Sequence, residues 1–317
     1  MPTLQNLSIC ARVTLDLHNL NSEGTEGNQQ QTRMVHIVDA HGKRHSVNAV
    51  SGDMFKHIFV EHLTPLLEQA GEPLSAGAAM LNPDRINADD KFVEAVKKES
   101  SGSVVQREML TRCAVTDIAG TLVTEGGKSV ARKSCVEFGW VVGLPENTHT
   151  EQYFHVKYAP ETRAKSAGQE KQGEGSMTDR QAIFHRPANS GIYAFICQLE
   201  LGRIGLNDLT RQPDVAEESR RKRAQAAIQA LMATLIHPSG AQRNTQNPHI
   251  VACLGIVATS STYLPAPAMS PLNDAFVTQV ESLKDTLNKM HPDALATYKF
   301  TDMAAAAEIL RDVSTKV

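Results

Sequence analysis

The stretch SICARVTLDLH, residues 8–18, constrains this chain more than any other. Ile9, Ala11, Val13, Leu15 and Leu17 fall on one side of a period-two repeat, and Cys10, Arg12, Thr14, Asp16 and His18 on the other. Successive strand side chains point to opposite faces, so this alternation predicts a strand with one face in a core and one face polar. Such a strand needs partners to be stable, and four later stretches offer them. CVEFGWVV (135–142), EQYFHVKY (151–158), GIYAFICQLEL (191–201) and HIVACLGIVAT (249–259) all read as strands.

Two helices fit between them. VSGDMFKHIF (50–59) opens the first: Ser51 is a good N-cap, Asp53 suits the positive end of the helix dipole, and Met54, Phe55, Ile58, Phe59, His62 and Leu63 form a stripe. Lys56 and His57 run against the dipole there, which points to solvent or to an anion held beside the free amides. Pro65 predicts a break, with a second segment starting at Thr64-Pro65. AEESRRKRAQAAIQALMATLI (216–236) is the second helix, with Ala224, Ala227, Ile228, Leu231, Met232, Leu235 and Ile236 on one face.

The order is then β-α-β-β-α-β, an α+β ferredoxin-like unit whose helices cover one sheet face and leave the other free for a ligand. Residues 19–33 read as a glycine- and amide-rich loop, and MVHIVDAHGKRHSVNAV (34–50) as a hairpin turning near His41 and Gly42. Residues 159–180 contain almost no apolar side chain and predict a mobile or partner-ordered segment. Two helices finish the chain, one after Ser270-Pro271 and one over DMAAAAEILRDV.

Chemistry is sparse. No G-x-S-x-G, phosphate-binding Walker loop, H-E-x-x-H or dinucleotide fingerprint occurs, so no catalytic residue and no cofactor is expected. His36, His41 and His45 flank a hairpin turn without a carboxylate at a telling spacing, so no metal site is expected. The five cysteines are scattered without a C-x-x-C pair, as suits reduced thiols. No secretory leader or apolar run of spanning length is seen, and a soluble cytoplasmic protein without membrane contact is expected. With 32 Lys+Arg against 35 Asp+Glu, the net charge of −3 argues against coating nucleic acid by bulk charge, but not against a local basic groove. Basic residues do recur beside the landmarks: Arg12, Lys43 and Arg44, Lys56 and His57, Arg132 and Lys133, and Arg243. EESRRKR instead reads as a solvated face, since Glu217–Arg221 and Glu218–Lys222 are spaced to pair.

LNSEGTEGNQQQTRMVHIVDAHGKRHSVNAVSGDMFKH, then TDIAGTLV with ARKSCVEFGWVVGLP, then GIYAFICQLELGRIG and GAQRNTQNPH, resemble blocks of one family. It is the DevR family of CRISPR-associated proteins, the Cas-seven backbone subunits of type I Cascade surveillance complexes in the RAMP superfamily. The resemblance spans about residues 8–260. It implies a right-hand shape with an RRM-like palm (1–70, including the hairpin 33–48, with 135–154 and 191–260), fingers (71–134) and a thumb loop (155–190), followed by C-terminal helices (261–317). It implies a non-catalytic subunit whose copies stack head to tail on guide RNA and present it to a target DNA strand. Partner subunits would be a RAMP-type cap subunit, a large subunit and a guide-processing endonuclease.

With the basic residues above, the expected RNA-binding set is Arg12, Asn19, Asn21, Gln30, Arg33, Ser51, Gly52, Lys56, His57, Arg132, Lys133 and Arg243. The resemblance implies a thumb wedge between bases, for which Met177, Ile183 and Phe184 are candidates; Ile183 and Phe184 equally suit packing at a strand's start. The alternatives are a ribonuclease of the same superfamily that processes guide precursor through His18 or His57, and a purely regulatory protein.

Overall fold

The computed structural model describes residues 4–99, 101–158, 181–241 and 243–317. The alternating stretch forms β1 (Asn6–His18). Two hairpins follow, β2 (Ser22–Glu26) with β3 (Gln29–Thr32) and β4 (Met34–Val38) with β5 (Arg44–Val50), and then α1 (Gly52–Gln69). Between residues 71 and 134 come α2 (Ala76–Ala79), α3 (Asp90–Lys98), α4 (Gly102–Arg112), α5 (Ala114–Ala119) and a small hairpin, β6 (Thr121–Val123) with β7 (Val130–Arg132). β8 (Val136–Phe138), β9 (Val141–Tyr158), β10 (Gln181–Leu199), α6 (Glu217–Ile236) and β11 (His249–Ser260) follow. The chain ends with α7 (Phe276–Met290), β12 (Leu295–Phe300) and α8 (Met303–Ser314).

The main sheet runs β12-β11-β1-β10-β9-β5-β4, with β8 also paired to β10. Within it, β11-β1-β10-β8 are antiparallel neighbours, which is the strand order of a split β-α-β-β-α-β unit. Ile9, Ala11, Val13 and Leu15 of β1 and Tyr193, Phe195, Cys197 and Leu199 of β10 pack against Phe55, Phe59 and Leu63 of α1 and Ile228, Leu231 and Leu235 of α6. Burying each such side chain contributes roughly 1.5–3 kcal/mol, so this interface dominates the palm.

Several expectations change. The period-two pattern fails at its end: a register shift between Leu15 and His18 gives Leu17 a φ of 54°, turns it out to solvent and buries His18. The expected loop at 19–33 is the β2–β3 hairpin, whose polar strands carry no apolar alternation to read. α1 continues through Pro65, which lies on the exposed side, where water can reach the carbonyl that loses its donor. The expected strand at 135–142 is interrupted at Gly139 and Trp140, between β8 and β9. β12 stands between the two C-terminal helices and pairs with β11.

The second sheet face is covered as well. Cys10, Ile256 and Ala258 pack against Ala266, Phe276 and Val280, so α7 and the segment leading to it occupy the place expected for a ligand. Arg12, on this face, donates to the Pro271 carbonyl at 2.9 Å and to Asp274 at 2.5 Å, with its guanidinium 5.8 Å from the Phe276 ring centre. It is tied to the C-terminal segment.

A buried ionic network joins residues 71–134 to α6 and the loop before it. The Asp117 carboxylate accepts from Arg132 Nη2 at 2.7 Å, Arg223 Nη1 at 2.9 Å and the Gly205 amide at 2.9 Å. Arg223 also pairs with Glu72 at 2.7 Å, and Arg132 with Asp208 at 2.9 Å. Arg132 donates further to the carbonyls of Asp117, Arg203 and Leu206, and its side chain is fully buried. Arg132 is therefore withdrawn from the RNA-binding set, because its donors are already committed.

Removing one partner from such a cluster strands a buried charge. Asp117→Ala is expected to lower the free energy of unfolding by about 3–5 kcal/mol in urea titration. Glu218→Ala, which breaks an exposed pair with Lys222, leaves the midpoint where it is.

Candidate nucleic-acid interface

α1 starts where β5 leaves the sheet, and Ser51 caps it. Its Oγ accepts from the Met54 amide at 3.2 Å, its carbonyl accepts from Phe55, and its hydroxyl donates to Asn21 Oδ1 at 3.3 Å. Gly52 is required by a close approach: a Cβ there would collide with the Phe138 carbonyl of β8. The helix start is thereby pressed against β8, and a cleft of about 330 Å³ opens beside it. Gly52, Asp53, Lys56, Ser134, Val136, Glu137, Phe138 and Trp140 line it.

Lys56 is the cation of this cleft. Burial pushes its pKa down, the nearby Arg85 guanidinium adds to that, and Asp53 and Glu137 oppose it. Arg85 donates to the Gly120 carbonyl at 2.5 Å. Among the described residues neither Lys56 nor Arg85 makes an ion pair. A half-buried ammonium beside a helix N-terminus, with Arg85 adding positive charge and Asp53 and Glu137 offsetting part of it, is a place where an anion can be held.

Arg33 stands at the rim, pairing with Glu23 at 3.0 Å, its guanidinium 5.7 Å from the Trp140 ring centre. Its carbonyl accepts from Asn48 Nδ2 and from the Ala49 amide, both at 3.0 Å. Asn48 in turn accepts from the Tyr193 hydroxyl at 2.8 Å and donates to Thr32, and Asn189 donates to Thr32 and to the His18 carbonyl. This buried polar network fixes the turn that presents Arg33.

Of the expected residues, Gly52 and Lys56 line the cleft, Ser51 at the helix start holds Asn21, and Arg33 lies over Trp140 of the lining; Lys133 is exposed and paired with Glu137 at 3.1 Å. The other expected residues lie elsewhere. Asn19 is fully buried, and neither atom of its amide has a partner among the described residues. Gln30 belongs to the β2–β3 hairpin, donating to Ser22 and accepting from Gln152. His57, on the outer side of α1, pairs with Glu61 at 3.1 Å; Arg243 follows the loop that packs on Leu20 through the Ala241 amide. Trp140 was missed because its outward turn depends on the break at Gly139, which has no periodic signature. Asp39 was missed too: it accepts from His45 at 2.8 Å inside the β4–β5 turn.

Residues 9–281 match the sequence profile described as CRISPR-associated negative auto-regulator DevR/Csa2. The chain belongs to the DevR/Csa2 family. A curated relative, CRISPR-associated protein Cas7/Csa2 1 of Saccharolobus solfataricus, is 26% identical over 238 residues, covering 72% of this chain and 70% of that protein. CRISPR-associated protein Cas7/Cst2/DevR of Methanocaldococcus jannaschii is 26% identical over 246 residues, 72% of this chain and 73% of that protein. The fold is similar to a chain of a solved CRISPR RNA-guided surveillance complex in a pre-nicking state, with a TM-score of 0.51 and 14% identity, covering 98% of this chain and 100% of that one.

In this DevR/Csa2 chain β9 and β10 continue as a paired ribbon as far as Tyr158 and Gln181. Phe184 stacks on His155 at 5.4 Å with Arg186 over its ring, so it is engaged in packing. Ile183 is 40% exposed and, by register, shares the opposite face with Phe154. Met177 and the polar stretch 159–180 lie outside the described residues.

His18 has a consequence for pH. Burial pushes its pKa from 6.5 down to about 3, so the folded chain keeps it neutral while the unfolded chain protonates it. Its contribution is complete above pH 6.5 and is lost progressively as pH falls from 6.5 toward 3. Thermal unfolding should therefore show Tm falling between pH 7 and 5, and His18→Gln should flatten that slope.

Proposed function

We propose that this chain is a non-catalytic backbone subunit that oligomerises along CRISPR guide RNA in a type I Cascade complex. In that role it holds the guide for pairing with a target DNA strand, beside a RAMP-type cap subunit, a large subunit and a guide-processing endonuclease. The observation that carries this reading is the cleft at the start of α1, lined by Lys56, which makes no ion pair among the described residues and feels the positive charge of Arg85. Family membership supplies the setting, and the two named relatives are CRISPR-associated proteins.

A backbone subunit serves any guide sequence, so its contacts should hold phosphate and leave base edges unread. Capping chemistry, a half-buried lysine and a small cleft suit phosphate better than base discrimination. The net charge of −3 is compatible, since each copy covers only a short stretch of guide and needs one local basic site. Residues 71–134, packed on the palm through Asp117, would be the fingers, and the β9–β10 ribbon the base of the thumb.

The ribonuclease alternative loses one of its two histidines, because His18 is buried against Tyr193 with ring centres 4.9 Å apart. His57 remains exposed beside Glu61. Incubating the chain with labelled guide precursor should give protection without cleavage; a single defined cut that vanishes in His57→Ala would replace the reading. In binding titrations, Lys56→Ala should weaken affinity equally for unrelated guide sequences and reduce the salt slope by about one. Arg12→Ala should leave both unchanged.

A further inference from the structure

Trp140 is turned outward by the backbone. Phe138, two residues earlier, packs among Phe55, Phe59 and Phe195 with ring centres 5.8–6.3 Å apart, and Val141 is buried. In an uninterrupted strand residues 138 and 140 would share the core face. The break at Gly139 prevents that: its amide donates to the Ile196 carbonyl at 3.0 Å, and a Cβ at Gly139 would collide with the Ile196 side chain. The break is therefore locked in place, and Trp140 stays 44% exposed.

A single exposed aromatic is ordinary on a protein surface. This one lines the same cleft as Lys56 and carries the Arg33 guanidinium against its ring. A flat apolar ring beside an ammonium that makes no ion pair among the described residues fits a ligand with a planar aromatic unit joined to a phosphate, the repeating unit of a single-stranded nucleic acid. The Arg33 guanidinium is held over the ring by its pair with Glu23, and the Arg33 backbone by the Asn48 and Ala49 hydrogen bonds, so part of the ordering is already done before binding.

We propose that Trp140 is a stacking platform for a base of single-stranded RNA, with Arg33 steadying the ring and Lys56 holding an adjacent phosphate. This rests on the guide-binding reading above and assigns a base contact within it. Stacking accepts any base, so the contact adds affinity without sequence preference.

Trp140 is the sole tryptophan of the chain, so its emission reports on this ring alone. The unmodified chain is titrated with short oligouridine and oligoadenosine carrying an end label, and label anisotropy and tryptophan emission are recorded together. Emission should fall in step with the anisotropy rise for both sequences. Trp140→Ala should weaken binding about tenfold with the salt slope retained, and Trp140→Phe should recover most of the loss. Binding by anisotropy with unchanged emission would overturn the platform and leave the guide-binding reading intact. So would a Trp140→Ala chain, native by circular dichroism, that binds RNA as before but self-associates less; the ring would then belong to a protein contact. If neither oligomer raises the anisotropy, both the platform and the guide-binding reading fall.

Discussion

The buried carboxylate of Asp117 fixes how residues 71–134 sit on the rest of the molecule. It sits fully buried between two guanidiniums, Arg132 of β7 and Arg223 of α6, with the Gly205 amide as a third donor. Taking these charges out of water is costly, and their mutual attraction with satisfied hydrogen bonds offsets that cost only in this one arrangement. The cluster therefore adds less to net stability than to uniqueness of the packing. It decides how residues 71–134 lie against the palm, because Glu72, Asp117 and Arg132 come from that segment, and Arg223 and Asp208 from outside it.

The cleft depends on this arrangement through a short chain of contacts. Arg132 anchors the end of β7, and the Cys135 amide donates to the Ile118 carbonyl while the Cys135 carbonyl accepts from Glu200. These bonds set where β8 runs. β8 brings the Phe138 carbonyl against Gly52, which positions the start of α1, and it delivers Trp140 to the rim. Burial of Cys135 pushes its thiol up to about 12, so it stays neutral beside Arg132, whose Nη2 reaches its sulfur at 3.3 Å as well as Asp117 at 2.7 Å. Two neighbouring cations are thus used differently: Arg132 goes inward to the buried network and Lys133 outward to an exposed pair with Glu137.

How far the site was legible follows from the range of the interactions that make it. Ser51 was readable as a cap, and Lys56 as out of keeping with the dipole, because both statements concern one helical turn. Arg12 and Arg132 looked like equally good surface cations. Both are consumed by partners distant in the chain, Asp274 for Arg12 and Asp117 with Asp208 for Arg132. Asn19 is absorbed by burial, and Trp140 is exposed only because β8 and β9 meet at a break.

The sequence by itself determined the β-α-β-β-α-β order, the inward face of β1 as far as Leu15, that of α6 short of the exposed Ile236, and the cap of α1, since each follows from local periodicity or from one side chain reaching its own backbone. Only the tertiary structure decided that the second sheet face is closed by α7, that His18 turns inward at the end of β1, and that β12 adds an edge strand. It alone decided which cations remain available. Charge pairing inside a protein depends on distance in space and on exclusion of water, and neither quantity is encoded in the spacing of residues along the chain.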